Sequence, residues 1–154
     1  NIAYYEDRTS HGSTLSRVIS ACVTARSRRG DSWDLFDCSL RSDVEDIQGG
    51  TTSEGIHLGA MAGTVDLVQR CYAGLELRDD TLWLDPALPE ELREIRFRLR
   101  YRGHTLSVHV NHQEMEVSSC RDGPRPVSVG IHGAVEPLRE GQTRRERIGG
   151  ELVA

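Results

Sequence analysis

Two short loops hold most of the side chains in this sequence that could do chemistry. The first reads Arg8-Thr9-Ser10-His11-Gly12-Ser13-Thr14-Leu15-Ser16, and an apolar helical stripe begins directly after it. A helix start presents unpaired N–H groups and the positive end of the helix dipole, so it favours anions. Ser13 and Thr14 would add hydroxyl donors, although Ser13 also suits a plain N-cap. The second loop reads Gly49-Gly50-Thr51-Thr52-Ser53-Glu54-Gly55-Ile56-His57, again before a helical run. Its glycines let the backbone approach a ligand closely. Thr51, Thr52 and Ser53 offer donors, and His57 is expected in the first turn of the following helix. The same residues suit a capping box of Thr51 with Glu54, or Thr52 as a cap. No G-K-[ST] follows, so this is not a Walker loop. The two loops say more together. If the helices alternate between an inner and an outer layer, the first and third are inner neighbours. Their N-termini then face one end of the bundle, and their donors converge on one anion.

The bulk properties narrow the partners. A chain of 154 residues makes one ordinary domain or two small ones. The formal net charge of −5 argues against nucleic acid. No apolar run approaches the ~20 residues of a membrane span, and no signal peptide is visible. All 19 basic residues are arginine, so no lysine is available as a Schiff-base residue or a phosphate-binding ammonium. Cys22, Cys38, Cys71 and Cys120 form no C-x-x-C pair. They suit neither a zinc cluster nor a dense disulfide framework, and read as buried reduced thiols of a cytoplasmic protein. No metal site is predicted.

The elements that must hold these loops fall into two halves. Leu15, Val18, Ile19, Cys22 and Val23 share one helical stripe, with Ser13 before it. Asp31 or Ser32 is expected to cap a second helix whose stripe is Trp33, Phe36, Leu40, Val44 and Ile47. Its other face carries Asp34, Asp37, Arg41 and Asp43. A third helix over Ile56 to Tyr72 is small or apolar nearly all round, which predicts burial on most sides. Its glycines cost roughly 1 kcal/mol each, which close packing would offset. Three such helices do not enclose a sealed core, so neighbours outside this chain are expected.

From Leu75 the period changes to two. Leu82, Trp83 and Leu84 make a short strand. Ile95, Phe97, Leu99 and Tyr101 alternate with Arg96, Arg98, Arg100 and Arg102. A turn at Gly103-His104 returns the chain through Leu106, Val108 and Val110. Met115 with Val117, and Val127 with Val129 and Ile131, continue the pattern, punctuated by Gly123-Pro124 and Gly133. These strands suggest a small antiparallel β-sandwich. The charged tail from Arg139 is expected to be partly disordered. The reading is α+β, with halves 1–74 and 75–154.

Several quoted segments resemble glycoside hydrolase family 65, the family of maltose, trehalose, kojibiose and related α-glucoside phosphorylases. They are Tyr4-Tyr5-Glu6, the Arg8–Ser16 loop, the run from Asp46 through the Gly49–His57 loop to Thr64, Leu75 to Asp80, Leu88-Pro89, and the hairpin from Phe97 to Val110. The resemblance implies the last helices of an (α/α)6 catalytic barrel followed by a small carboxy-terminal β domain. It also implies that the family's general acid, a glutamate, lies upstream in the barrel. No residue here matches its motif, and an upstream Lys-Gln substrate motif is likewise absent, so the fragment alone is expected to be inactive.

The family's phosphate site is carried over onto Ser13 and Thr14, Gly50 and Thr51, and His57, with His11, Thr52 and Glu54 behind them. In the implied mechanism, inorganic phosphate takes the place of water in one inverting displacement at the anomeric carbon. Phosphate is then a co-substrate, and no cofactor is expected. The implied partners are an α-linked glucose disaccharide, the remaining domains of the parent chain, and a second copy in a homodimer. The family also includes hydrolases. A different class of function, a carbohydrate-binding or domain-packing module, would rest on the β half. His104, His109, His112 and His132 read as solvated. The arginine ladder reads as a solvated sheet face, or else as a dock for an acidic surface. Trp33 and Trp83 read as packing residues, with Trp83 the weaker option for stacking a sugar.

Overall fold

The computed structural model describes residues 2–47, 49–50, 52–121 and 125–148. Two compact units appear, one of Asn1–Tyr72 with Pro89–Glu91, the other of Ala73–Leu88 with Leu92–Ala154. The turn at Gly123-Pro124, the tail residues from Gly149, and Thr51 lie outside the described residues.

The first unit is helical. It contains α1 (Ile2–Glu6), α2 (Thr14–Thr24), α3 (Arg29–Arg41), a 3₁₀ turn at Thr52–Glu54, and α4 (Leu58–Asp66), which runs into a π-helical turn at Leu67–Tyr72. Ser13 caps α2 from an extended backbone conformation, its hydroxyl accepting from the Leu15 N–H at 3.3 Å. The chain then folds back. Ser32 of α3 donates to the Ala21 carbonyl at 2.7 Å and lies 3.0 Å from the Tyr72 hydroxyl. Phe36 packs between Trp33 and Tyr72, at ring-centroid distances of 5.5 and 5.8 Å. Burial pushes the Tyr72 phenol up to about 12, so it stays a neutral hydrogen-bonding group.

Helix α4 lies against α2. A methyl group on Gly59 would sit 3.3 Å from Leu15 Cδ2, and one on Gly63 would sit 2.7 Å from Val18 Cγ1. Residue numbers rise together along this contact, so α2 and α4 run parallel, with His57 level with Ser13.

Three helical expectations need correction. Within the stripe assigned to α2, Val18 is buried, while Leu15, Ile19 and Val23 are exposed. The buried side is instead Thr14, Val18, Ala21 and Thr24. Helix α3 starts at Arg29, with no side-chain cap, and ends at Arg41. Val44 and Ile47 therefore lie beyond it, and Asp31 pairs with Arg28. Its buried residues are Ser32, Phe36 and Ser39, because small hydroxyl side chains allow close approach to α2 and meet carbonyls locally. Helix α4 with its π-helical continuation reaches Tyr72 as expected, but α4 is buried on one side only, with Leu58 and Val65 exposed.

The second unit is the expected β-sandwich. One sheet has the order β1-β2-β6-β7, and the other β3-β4-β5-β8. The strands are β1 (Glu76–Arg78), β2 (Thr81–Leu84), β3 (Glu94–Tyr101), β4 (His104–Asn111), β5 (Glu114–Arg121), β6 (Val127–Ile131), β7 (Ala134–Leu138) and β8 (Thr143–Arg147). All pairs are antiparallel except β2 with β6, which run parallel. Leu82, Leu84, Val129 and Ile131 of one sheet and Leu106, Val108, Val110, Met115 and Val117 of the other are fully or nearly fully buried.

The turn after β3 is Arg102-Gly103, not Gly103-His104. His104 opens β4 and is buried. Its ring lies 2.8 Å from both the Ser119 hydroxyl and the Arg125 carbonyl, so it is a satisfied core group and not a solvated one. The segment from Arg139 also departs from the expected disorder, since Thr143–Arg147 forms β8. Arg144 of β8 donates to the Val129 carbonyl of the opposite sheet at 2.8 Å and pairs with Glu136 and Glu146. A nearly buried guanidinium thus ties the two sheets together.

Candidate functional site

The parallel pairing of α2 and α4 sets Ser13-Thr14 and His57-Leu58 at the same end of the helical unit. Ser13 is exposed at its cap position and Thr14 is buried in the first turn. Ser16 donates to the Ser13 carbonyl at 2.8 Å, and the His11 ring nitrogen Nδ1 lies 3.2 Å from the Ser16 hydroxyl oxygen. Because that hydroxyl proton is already donated, His11 Nδ1 is the donor in this contact. His11 itself has positive φ, 46°, so the loop turns sharply there. One turn into α2, Arg17 Nη1 is buried with no hydrogen-bond partner among the described residues.

His57 stands just before α4, not within its first turn. Its N–H donates to Asp43 Oδ2 at 3.0 Å, and its ring nitrogen Nδ1 lies 2.6 Å from Asp43 Oδ1. The Asp43 side chain is only 9% exposed and that of His57 21%. Glu54 is largely exposed, with Oε2 3.9 Å from His57 Nε2.

The glycine-threonine loop closes on Asp46. The Gly50 N–H donates to both carboxylate oxygens of Asp46, at 2.7 and 2.8 Å, and the Thr52 hydroxyl reaches Oδ1 at 3.5 Å. Gly50 was expected to lend its backbone to an anion, but here an internal carboxylate already holds its N–H.

The sequence reading missed Asp43 and Asp46 as site residues, and assigned Asp43 to a solvated helix face. A usable signal was present. Asp46 stands three residues before Gly49-Gly50, a setting in which aspartate commonly accepts from nearby backbone N–H groups.

Elsewhere the chemistry is structural. Cys22 hydrogen-bonds to Cys71, which pushes Cys22 up and holds Cys71 down at about 7. Cys22, Cys38 and Cys71 are half-buried and Cys120 is exposed, which corrects the expectation that all were buried. Trp83 is no open platform: its ring lies across Gly130, where an added methyl would come within 2.4 Å, and Arg78 stacks over it at 4.8 Å. The apolar and arginine faces of β3 alternate as expected, and Glu94 bonds both Arg96 and His109. Among the described residues no cluster of three His, Cys, Asp or Glu side chains is placed to hold a metal ion. None of their helices is long and apolar enough to cross a membrane.

Residues 1–66 match the glycosyl hydrolase family 65 central catalytic domain, and residues 75–135 match the glycosyl hydrolase family 65 C-terminal domain. The chain belongs to glycosyl hydrolase family 65. An uncharacterized glycosyl hydrolase of Mycobacterium tuberculosis is 49% identical over 142 residues, 92% of this chain and 11% of that protein. Trehalose 6-phosphate phosphorylase of Lactococcus lactis is 34% identical over 79% of this chain and 16% of its own length. Kojibiose phosphorylase of Escherichia coli is 31% identical over 91% of this chain and 18% of its own length. A solved structure of a candidate kojibiose phosphorylase from the human microbiome superposes on the whole chain with a TM-score of 0.83, at 23% identity and over 22% of that chain. The family 65 chain described here therefore spans less than a fifth of the length of each of these three curated relatives.

Proposed function

We propose that this chain is the phosphate-binding, carboxy-terminal part of an inverting α-glucoside phosphorylase. The complete enzyme would cleave a glucosidic bond with inorganic phosphate to give β-glucose 1-phosphate, with the general acid elsewhere in the parent. In this reading residues 1–74 complete the (α/α)6 barrel and residues 75–154 form the terminal β domain. The parent is cytoplasmic, in keeping with its unpaired thiols. The observation that carries the reading is the parallel register of α2 and α4, which sets Ser13, Thr14 and His57 level at two adjacent helix N-termini. The phosphorylase names of several relatives support it as well.

Phosphate is already a competent nucleophile, so the protein's task is to orient it and offset its charge. Ser13, Thr14 and His57 would supply side-chain donors. Gly50 and Thr51 belong to the loop that shapes the site, with the Gly50 N–H held by Asp46. In the complete enzyme, His57→Ala should cost roughly 1.5–3 kcal/mol of phosphate binding, a charge-assisted hydrogen bond's worth. Phosphate affinity should fall by about one to two orders of magnitude. Binding of the disaccharide without phosphate should change far less. Separate titrations of phosphate and sugar decide the matter. Unchanged phosphate dependence with collapsed sugar binding would mean the loops hold sugar, and phosphate-independent release of free glucose would mean a hydrolase.

A further inference from the structure

The strongest feature of the helical unit left without a role is the carboxylate against His57. Asp43 comes from the segment after α3, fourteen residues before His57, and its side chain is nearly buried. Its two oxygens take two different protons from one residue: Oδ2 the main-chain N–H at 3.0 Å, Oδ1 the ring Nδ1–H at 2.6 Å. An ionised carboxylate only accepts, so the proton in the ring contact belongs to Nδ1. That leaves Nε2 as the ring nitrogen available to a ligand in either protonation state. With a second proton it donates to an anion; without one it accepts from a P–OH group.

Resting on the phosphate reading above, we infer that Asp43 is a positioning residue for the phosphate nucleophile: it fixes the ring of His57 through Nδ1 and thereby presents Nε2 to the anion. The two contacts suit this role because they hold the residue at two points. The main-chain bond fixes where the residue begins α4, and the ring bond fixes its rotation. A plain helix cap would need only the first.

Asp43→Asn keeps the shape but spoils the pattern. The amide offers one acceptor and one NH₂ group, while His57 presents two N–H donors. The amide oxygen can accept from only one of them, so the ring loses one of its two fixed points and swings away from the anion. The test uses the complete enzyme, with inorganic phosphate titrated calorimetrically into wild type, Asp43→Asn, His57→Ala and the double variant. Asp43→Asn should weaken phosphate on the order of tenfold. The double variant should bind phosphate no worse than His57→Ala, because both changes remove one function. With the disaccharide the enzyme cleaves, the phosphate KM should rise in Asp43→Asn while kcat at saturating phosphate holds, a split that general loosening of the fold does not produce.

An Asp43→Asn enzyme with wild-type phosphate affinity, or losses that simply add in the double variant, would overturn the positioning role while leaving the phosphate reading intact. A His57→Ala enzyme with wild-type phosphate affinity would overturn both.

Discussion

Cys22 and Cys71 are the same residue type set to opposite behaviour by one contact. The Cys22 thiol donates to the Cys71 sulfur, which favours thiolate at Cys71 and holds it down at about 7, from a usual 9.0. A lowered value means the reactive thiolate is present above that pH and lost below it. Alkylation of Cys71 by iodoacetamide should therefore climb between about pH 6 and about pH 8, with Cys22 lagging behind. Peptide mass analysis at a series of pH values checks this, and equal labelling of the two at every pH would refute it. At the same scale, the standing of Ser13, Thr14 and His57 beside helix starts was legible in the sequence, because residue type and the flanking apolar pattern coincide there, whereas the start of α4 at Leu58 was not. Asp43 and Asp46 were not. Their contacts depend on the fold bringing Asp43 to His57 and Asp46 to Gly50, which no regular period in the sequence betrays. For Asp46 the one cue was its place three residues before Gly49-Gly50.

Among the elements, the α2–α4 contact is the one a single atom can test. Alanine at position 63 would gain about 1 kcal/mol in helix propensity. Its methyl would lie 2.7 Å from Val18 Cγ1, however, and overpacking of this kind costs about 1–3 kcal/mol. Gly63→Ala should be destabilising by urea denaturation, and Val18→Ala in the same chain should recover part of the loss. A stabilised Gly63→Ala variant would mean the helices are not in this register. Strands β2 to β6 were readable because alternation survives in each. Strands β1, β7 and β8 are short, mostly exposed and without apolar alternation, so pairing alone defines them. Helix faces failed differently. The buried sides of α2 and α3 are built from Thr14, Thr24, Ser32 and Ser39 as much as from Val18 and Phe36, so hydrophobic contrast pointed at the wrong stripe.

For the molecule as a whole, the residues that broke the helical expectation have a consequence for behaviour in solution. Leu15, Ile19 and Val23 recur every four residues along an exposed side of α2, and Leu58 and Val65 are exposed on α4. Apolar area of this kind seeks cover. The isolated chain should self-associate in sedimentation velocity, and Ile19→Glu together with Val65→Glu should shift it toward monomer. A monodisperse wild-type monomer at high concentration would rule this out. The β unit has a different global property, which its strand order contains. One sheet takes β1, β2, β6 and β7, and the other takes β3, β4, β5 and β8, so the chain passes back and forth and neither sheet is spelled by a continuous stretch. A cut between β5 and β6 would take two strands from one sheet and one from the other. The local hairpins can form early, but the β2–β6 and β5–β8 pairings must wait for distant chain to arrive. Each sheet withholds its last partner until the other is laid down, so the two reach their native form as one event.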